Sequence, residues 1–243
     1  MPITISYKIK KYNKDHIVYK MKELILKNYR LLEVIANIYI LLDDFNNDNR
    51  IVNDENEKII CSIIRKSVMS GYITREVAQE FSLLWAQIKS EELGLVLEQI
   101  IANIGPCEVF KENYDLSMDV KVDETKIEKD FDVVFFSDIY SKNKNHSKNK
   151  KIKISGKSEF HECKKNVCTF IPCDPGKELK EKPKKKLDFI KKTYELHNEG
   201  KYFIPTLFPQ VESQQRFLNK YEDGIYNFIK ILDIYNLIEL VNK

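Results

Sequence analysis

Between Asp15 and Phe45 apolar residues recur every three or four positions, without proline or glycine, in DHIVYKMKELILKNYRLLEVIANIYILLDDF; this spacing predicts one long amphipathic helix. A polar break, NDNRIVNDEN, separates it from a second helical stretch, ENEKIICSIIRKSVMS, capped by Asn53 or Asp54 and stopped at Gly71. Thr74 is placed to cap a third, REVAQEFSLLWAQIKS, and a fourth, SEELGLVLEQIIANIG, ends at Gly105. Beyond Gly105 the texture becomes extended. CEVFKENYDLSMDVKV, KDFDVVFFSDIY and KIKISGKSEFHECKKNV predict three strands, each rich in β-branched or aromatic residues and bounded by polar turns. Helix returns at about Pro183 to Asn198, followed by the apolar strand KYFIPTLFP and a helical stretch from Gln214 to Val241. The pattern predicts an all-helical segment over residues 1 to 90 and a mixed α/β core over residues 91 to 243, with no internal repeat.

An apolar fraction of 43% over 243 residues excludes a disordered chain. The net charge of +3 is too small to announce a nucleic-acid binder, but lysines crowd the span from Lys142 to Lys192. The first of these runs reads as a solvated surface. MPITISYKIKKYNKD holds no apolar run suited to a signal peptide, and no stretch of about 18 apolar residues offers a membrane span. A cytoplasmic protein is expected. Five cysteines, an odd number, then point to reduced thiols; Cys163, Cys168 and Cys173, with His161 nearby, are not expected to bind zinc. Residues 54 to 89 share the outline of a helix-turn-helix, but Phe81, Leu83, Leu84 and Trp85 suit bundle packing better than a DNA groove.

The chemistry concentrates in EFHECKKNV, residues 159 to 167. Residues two apart on a strand share a face, so Glu162 and Lys164 point the same way, while His161 and Cys163 point the other. The preceding strand carries Asp132 inside FDVVFF, and a hairpin between the two can set its carboxylate beside Glu162. Two such carboxylates repel unless positive charge lies between them, and a divalent cation answers that need. Magnesium, a hard ion, takes one or two carboxylates and leaves positions for a phosphate oxygen. Lys164 is then placed to orient or help deprotonate an attacking water, or to steady charge on the phosphate.

Asp132 on one strand, followed by Glu162-Cys163-Lys164 on its neighbour, resembles the signature of the PD-(D/E)XK nuclease superfamily, the restriction-endonuclease-like fold. The resemblance covers about residues 91 to 243. It departs at the nominal proline, where Phe131 stands. It implies a magnesium or manganese ion held by Asp132, Glu162 and the backbone carbonyl of Cys163, with Asp132, Glu162 and Lys164 catalytic. It further implies a glutamate on the preceding helix, here Glu98 in Gly94-Leu95-Val96-Leu97-Glu98, between the small residues Gly94 and Ala102. Lys184, Lys185 and Lys186 are expected to hold a phosphate backbone, and Gln214 and Gln215 to lie near the site. The implied function is phosphodiester hydrolysis of DNA, as in restriction or phage defence. A homodimer is expected, because the long helix from Asp15 to Phe45 has more apolar surface than three short partners cover and two active sites would cut two strands. An RNase on the same scaffold, or an idle binding module, remains the alternative.

Overall fold

The computed structural model describes residues 3–8, 13–42, 54–108, 115–125, 128–136, 150–154, 157–174 and 176–242. In it the helix expected from Asp15 to Phe45 breaks at Asn28 into α1 (Ile17–Lys27) and α2 (Leu31–Leu41). The Asn28 side-chain amide donates to the Leu24 carbonyl at 3.1 Å, the kind of local bond by which asparagine competes with helical hydrogen bonding. Helix α3 (Asp54–Met69) starts just after Asn53, which lies outside the described residues, and gives way to Gly71 at a positive φ of 71°. The Thr74 hydroxyl accepts from the Val77 N–H and caps α4 (Arg75–Gln87), as expected. Helix α5 (Ser90–Ile104) ends on Gly105, at φ 89°.

The first residues bring a correction. Ile3–Lys8 is a strand, β1, so the segment before residue 91 is not wholly helical. Its signal was present in ITIS, where buried Ile3 and Ile5 alternate with partly exposed Thr4 and Ser6. A second correction lies in KIKISGKSEFHECKKNV, which splits into β4 (Lys150–Ile154) and β5 (Ser158–His161). With β2 (Asp115–Val122), β3 (Asp130–Phe136), β6 (Lys201–Pro205) and β7 (Ile229–Leu232) these form one open mixed sheet in the order β4-β1-β2-β3-β5-β6-β7. The pairs from β4 across to β5 are antiparallel, whereas β5–β6 and β6–β7 are parallel. Parallel neighbours need crossovers, supplied by α6 (Glu181–Leu196) and α7 (Glu212–Lys220). The helical stretch expected from Gln214 to Val241 therefore holds β7 between α7 and α8 (Ile234–Val241).

Two apolar cores sandwich the sheet. On one face Val133, Phe135 and Phe203 pack with residues of α1 to α5 and α8. On the other, Val134, Phe136, Phe160 and Tyr202 pack with Leu187, Phe189 and Ile190 of α6 and with Phe217 and Leu218 of α7. Burial on both faces explains the unbroken apolar run of β3. Phe81, Leu84 and Trp85 of α4 are spent on the first core, as bundle packing requires, whereas Leu83, expected with them, is exposed. No described helix is long and apolar enough to cross a membrane.

Phe131 anchors the second core beside the polar end of β3: its ring centroid lies 4.9 Å from those of both Phe160 and Phe189 and 6.2 Å from that of Tyr202. Phe131→Ala should cost about 3 to 5 kcal/mol, because the cavity it leaves is walled by rings that cannot all close in. Urea unfolding would show this as a lower midpoint at unchanged slope, and a loss below about 1 kcal/mol would contradict the packing described.

Candidate metal and phosphodiester site

The site begins with a register. Strands β3 and β5 run antiparallel with Val133 opposite His161, so one step further Asp132 falls opposite Glu162. The contact is made: an Asp132 carboxyl oxygen accepts the backbone N–H of Cys163 at 2.7 Å. Past the last residue of β5 the chain stays on β6, with Glu162 N–H bonded to the Phe203 carbonyl at 3.0 Å and Lys164 N–H to that of Pro205 at 2.9 Å. Glu162, Cys163 and Lys164 are thereby held in extended geometry at the sheet rim, and Glu162 and Lys164 share a side as their spacing predicts.

Two further charges arrive from opposite layers. Helix α5 supplies Glu98, buried and close enough for its charge to act on Asp132 and Cys163. Helix α6 supplies Lys186, whose ammonium lies 2.6 Å from Glu162 Oε2 and also donates to the Asp130 carbonyl. The Lys164 ammonium pairs with Glu162 Oε1, donates to the Cys163 carbonyl at 3.0 Å, and sits 5.2 Å from the centre of the Phe170 ring. Glu162 is thus gripped on both oxygens by lysines.

Lys186 was expected on a phosphate-binding surface, and here the structure corrects the sequence. The inward stripe of α6 runs Pro183, Lys186, Leu187, Phe189, Ile190 and Thr193, and Lys186 lies on it. That spacing was the available signal. Lys184 and Lys185 lie off the stripe, half-buried and exposed, paired with Glu222 at 3.2 Å and Glu181 at 2.5 Å. Gln214 is buried with its amide on the sulfurs of Cys168 (3.3 Å) and Cys173 (2.9 Å), and Gln215 bonds the backbone of Ile229 and Ile231 in β7. Neither forms part of the cluster. Gly94 faces open space, so close approach of α5 does not require it. Lys142, Lys144 and Lys148 lie outside the described residues.

One feature beside Asp132 had no sequence signal. Asp119 adopts a left-handed φ of 52° in β2, between Met118, paired with Val133, and Val120, paired with Phe131. That conformation reverses the pleat, so Met118 joins one core and Val120 the other although they are two apart.

Three carboxyl groups and two ammonium groups leave an excess of negative charge. Loss of hydration, together with the Glu162 and Glu98 carboxylates, lifts Asp132 to about 8 against the pull of Lys164 and Lys186. Burial alone would lower the Lys164 pKa, but Glu162 and Asp132 raise it above its ordinary value. Burial, then the charges of Asp132 and Glu98, push the Cys163 thiol well up, so it stays protonated and offers no nucleophile. The residues present suit a hard divalent cation: the Asp132 and Glu162 carboxyls and the Cys163 carbonyl are all oxygen donors, and added positive charge would relieve the repulsion recorded in Asp132.

A carboxyl whose folded-state pKa is raised favours the fold fully at pH values below its unfolded pKa, and that contribution is lost as pH climbs towards about 8. Asparagine at 132 has no proton to lose. In chelator-treated protein, Asp132→Asn should therefore gain stability over the native chain between pH 5 and pH 8, by about 2 to 4 kcal/mol. Urea titrations at the two pH values measure it, and a stability difference that does not change with pH would refute the assignment.

No protein-family model, curated protein or solved structure matches this chain, so the chemistry of the site rests on its own geometry.

Proposed function

We propose that the chain is a magnesium- or manganese-dependent nuclease of the PD-(D/E)XK type that hydrolyses phosphodiester bonds of DNA. The proposal rests on one geometric fact: Asp132 lies against the Glu162-Cys163 peptide across an antiparallel register, while Lys164 shares the side of Glu162. Asp132, Glu162 and the Cys163 carbonyl would hold the ion. Bound there, a divalent cation supplies Lewis-acid polarisation of a phosphoryl oxygen and makes water a better nucleophile near neutral pH.

The chain's own groups do the rest. Lys164 brings positive charge to the same rim, where charge builds on a phosphate under attack. Lys186 acts as a positioning residue, since its ammonium fixes the second Glu162 oxygen. Glu98 adds negative charge from α5 and strengthens cation binding. The first turns of α6, with Lys184 and Lys185, offer a basic approach for the phosphate backbone.

Lys164 has a second consequence. Its ammonium bridges Glu162 Oε1 and the Cys163 carbonyl, two of the oxygens assigned to the ion. Lys164→Ala should bind magnesium at least as tightly as the native chain while losing about a hundredfold or more in turnover at saturating DNA. Glu162→Ala should lose both. Calorimetry with magnesium and plasmid nicking separate the two effects, and loss of magnesium affinity in Lys164→Ala would contradict the assigned roles.

The activity itself is tested by plasmid nicking with and without magnesium alongside a labelled RNA. Nicking that needs the metal is expected, with the RNA left intact. Cleavage of RNA alone would overturn the choice of substrate, and cleavage of neither would overturn the nuclease.

A further inference from the structure

Glu159 and His161 stand two apart on β5, both wholly buried, on the side opposite Glu162. A carboxylate and an imidazole in the centre of a sheet need a reason, because each loses its hydration there. Glu159 accepts the backbone N–H groups of Cys107 (2.7 Å) and Glu108 (2.6 Å), in the chain that leaves α5. Its Oε2 lies 3.2 Å from His161 Nε2. The His161 ring stacks on Phe203 and meets Phe135 edge-on, and its Nδ1 has no hydrogen-bond partner among the described residues. Cys107, half-buried and in no disulfide, completes the group.

One ligand atom from each of Cys107, Glu159 and His161 lies within 4.8 Å of the other two. Sulfur, nitrogen and oxygen together form a set that zinc takes and magnesium does not. Two ligands of a tetrahedral zinc, each at about 2.0 to 2.1 Å, stand roughly 3.3 Å apart. The Glu159 and His161 atoms already have that separation. The two backbone N–H groups on Glu159 orient the carboxylate, as outer hydrogen bonds do at metal centres. Cys107 is partly exposed, whereas Glu159 and His161 are wholly buried, so the thiol is the solvent-facing member of the group.

We propose that Cys107, Glu159 and His161 form a second metal site, of zinc type, which ties the connection after α5 to the strand that leads into Glu162. It shares no ligand with the oxygen set on the other side of β5 and does not depend on nuclease activity. A bound ion would clamp Cys107 to the central strand and so hold the end of α5, and with it Glu98, against the sheet.

The test uses the full chain, stripped by chelator and titrated with cobalt(II). The charge-transfer absorption of a cobalt–thiolate bond should appear, saturate at one ion per chain and disappear on competition with zinc. Cys107→Ser should remove the band while keeping the far-ultraviolet circular dichroism of the native protein. Asp132→Ala, and Cys168→Ser with Cys173→Ser, should leave it in place. Glu159→Gln and His161→Gln, if folded, should weaken binding by about tenfold or more. Absence of the band in the native chain, its survival in Cys107→Ser, or its loss in the Cys168/Cys173 variant would each overturn the proposal.

Discussion

The pairing of β3 with β5 is the constraint on which the site depends, and apolar patterning alone specifies it poorly. A strand with one wet face resists slipping, because a shift of one residue carries its apolar side chains into water. Strand β3 is apolar on both faces, so a slip would merely exchange one buried set for another. Buried polar contacts hold the register instead. Asp132 must meet the Cys163 N–H, Glu159 must meet the N–H groups after α5, and Ser158 must meet His197 at 2.7 Å. A slip would part Asp132 from the Cys163 N–H directly, and if β5 moved it would also strand Glu159 and Ser158, which tie β5 to the chain after α5 and to His197, at a cost on the order of 1 to 3 kcal/mol for each buried group left unpaired.

The same register concentrates charge. Asp132, Glu162 and Glu98 converge from two strands and a helix, while Lys164 and Lys186 answer from a strand end and the opposite helical layer. Each lysine takes one Glu162 oxygen, so Glu162 is matched and the unmatched repulsion falls on Asp132. A protein selected for stability alone would fill such a rim with apolar side chains, because buried charge clusters are costly even when paired. Under the function proposed above, retaining them would trade stability for chemistry, as reactive sites do.

Both faces of β5 carry polar residues amid aromatic ones. Glu162 and Lys164 continue one side past the strand end, and Glu159 and His161 occupy the other. Alternation therefore gives this short strand two separate polar environments, one of hard oxygen donors and one that includes a thiol and an imidazole.

Much was legible without coordinates because the signals are local. Thr74 before an amphipathic run, Gly71 and Gly105 at helix ends, and the apolar run VVFF act over a few residues, and the structure keeps all of them. The neighbourhood of Glu162 and Lys164 followed from period-two alternation, but the hairpin expected to bring Asp132 beside them is not there: β4 lies between β3 and β5 in the chain and pairs with β1 at the far edge of the sheet. Other features depended on partners distant in sequence. Strand β1 is stable because β2 and β4, more than a hundred residues away, supply its hydrogen bonds, and β7 exists because β6 lies beside it. Asn28 breaks a helix although the apolar period continues across it, and each half then packs on different helices within one core. Lys186 shows the division most clearly. Its place on the inward stripe of α6 was written in the spacing, but lysine is so seldom buried that only the sight of Glu162 and Asp130 across the gap explains it. The sequence by itself determined which residues could face inward together; the tertiary structure decided which charges would meet there, because that depends on how helices and strands from distant parts of the chain are brought side by side.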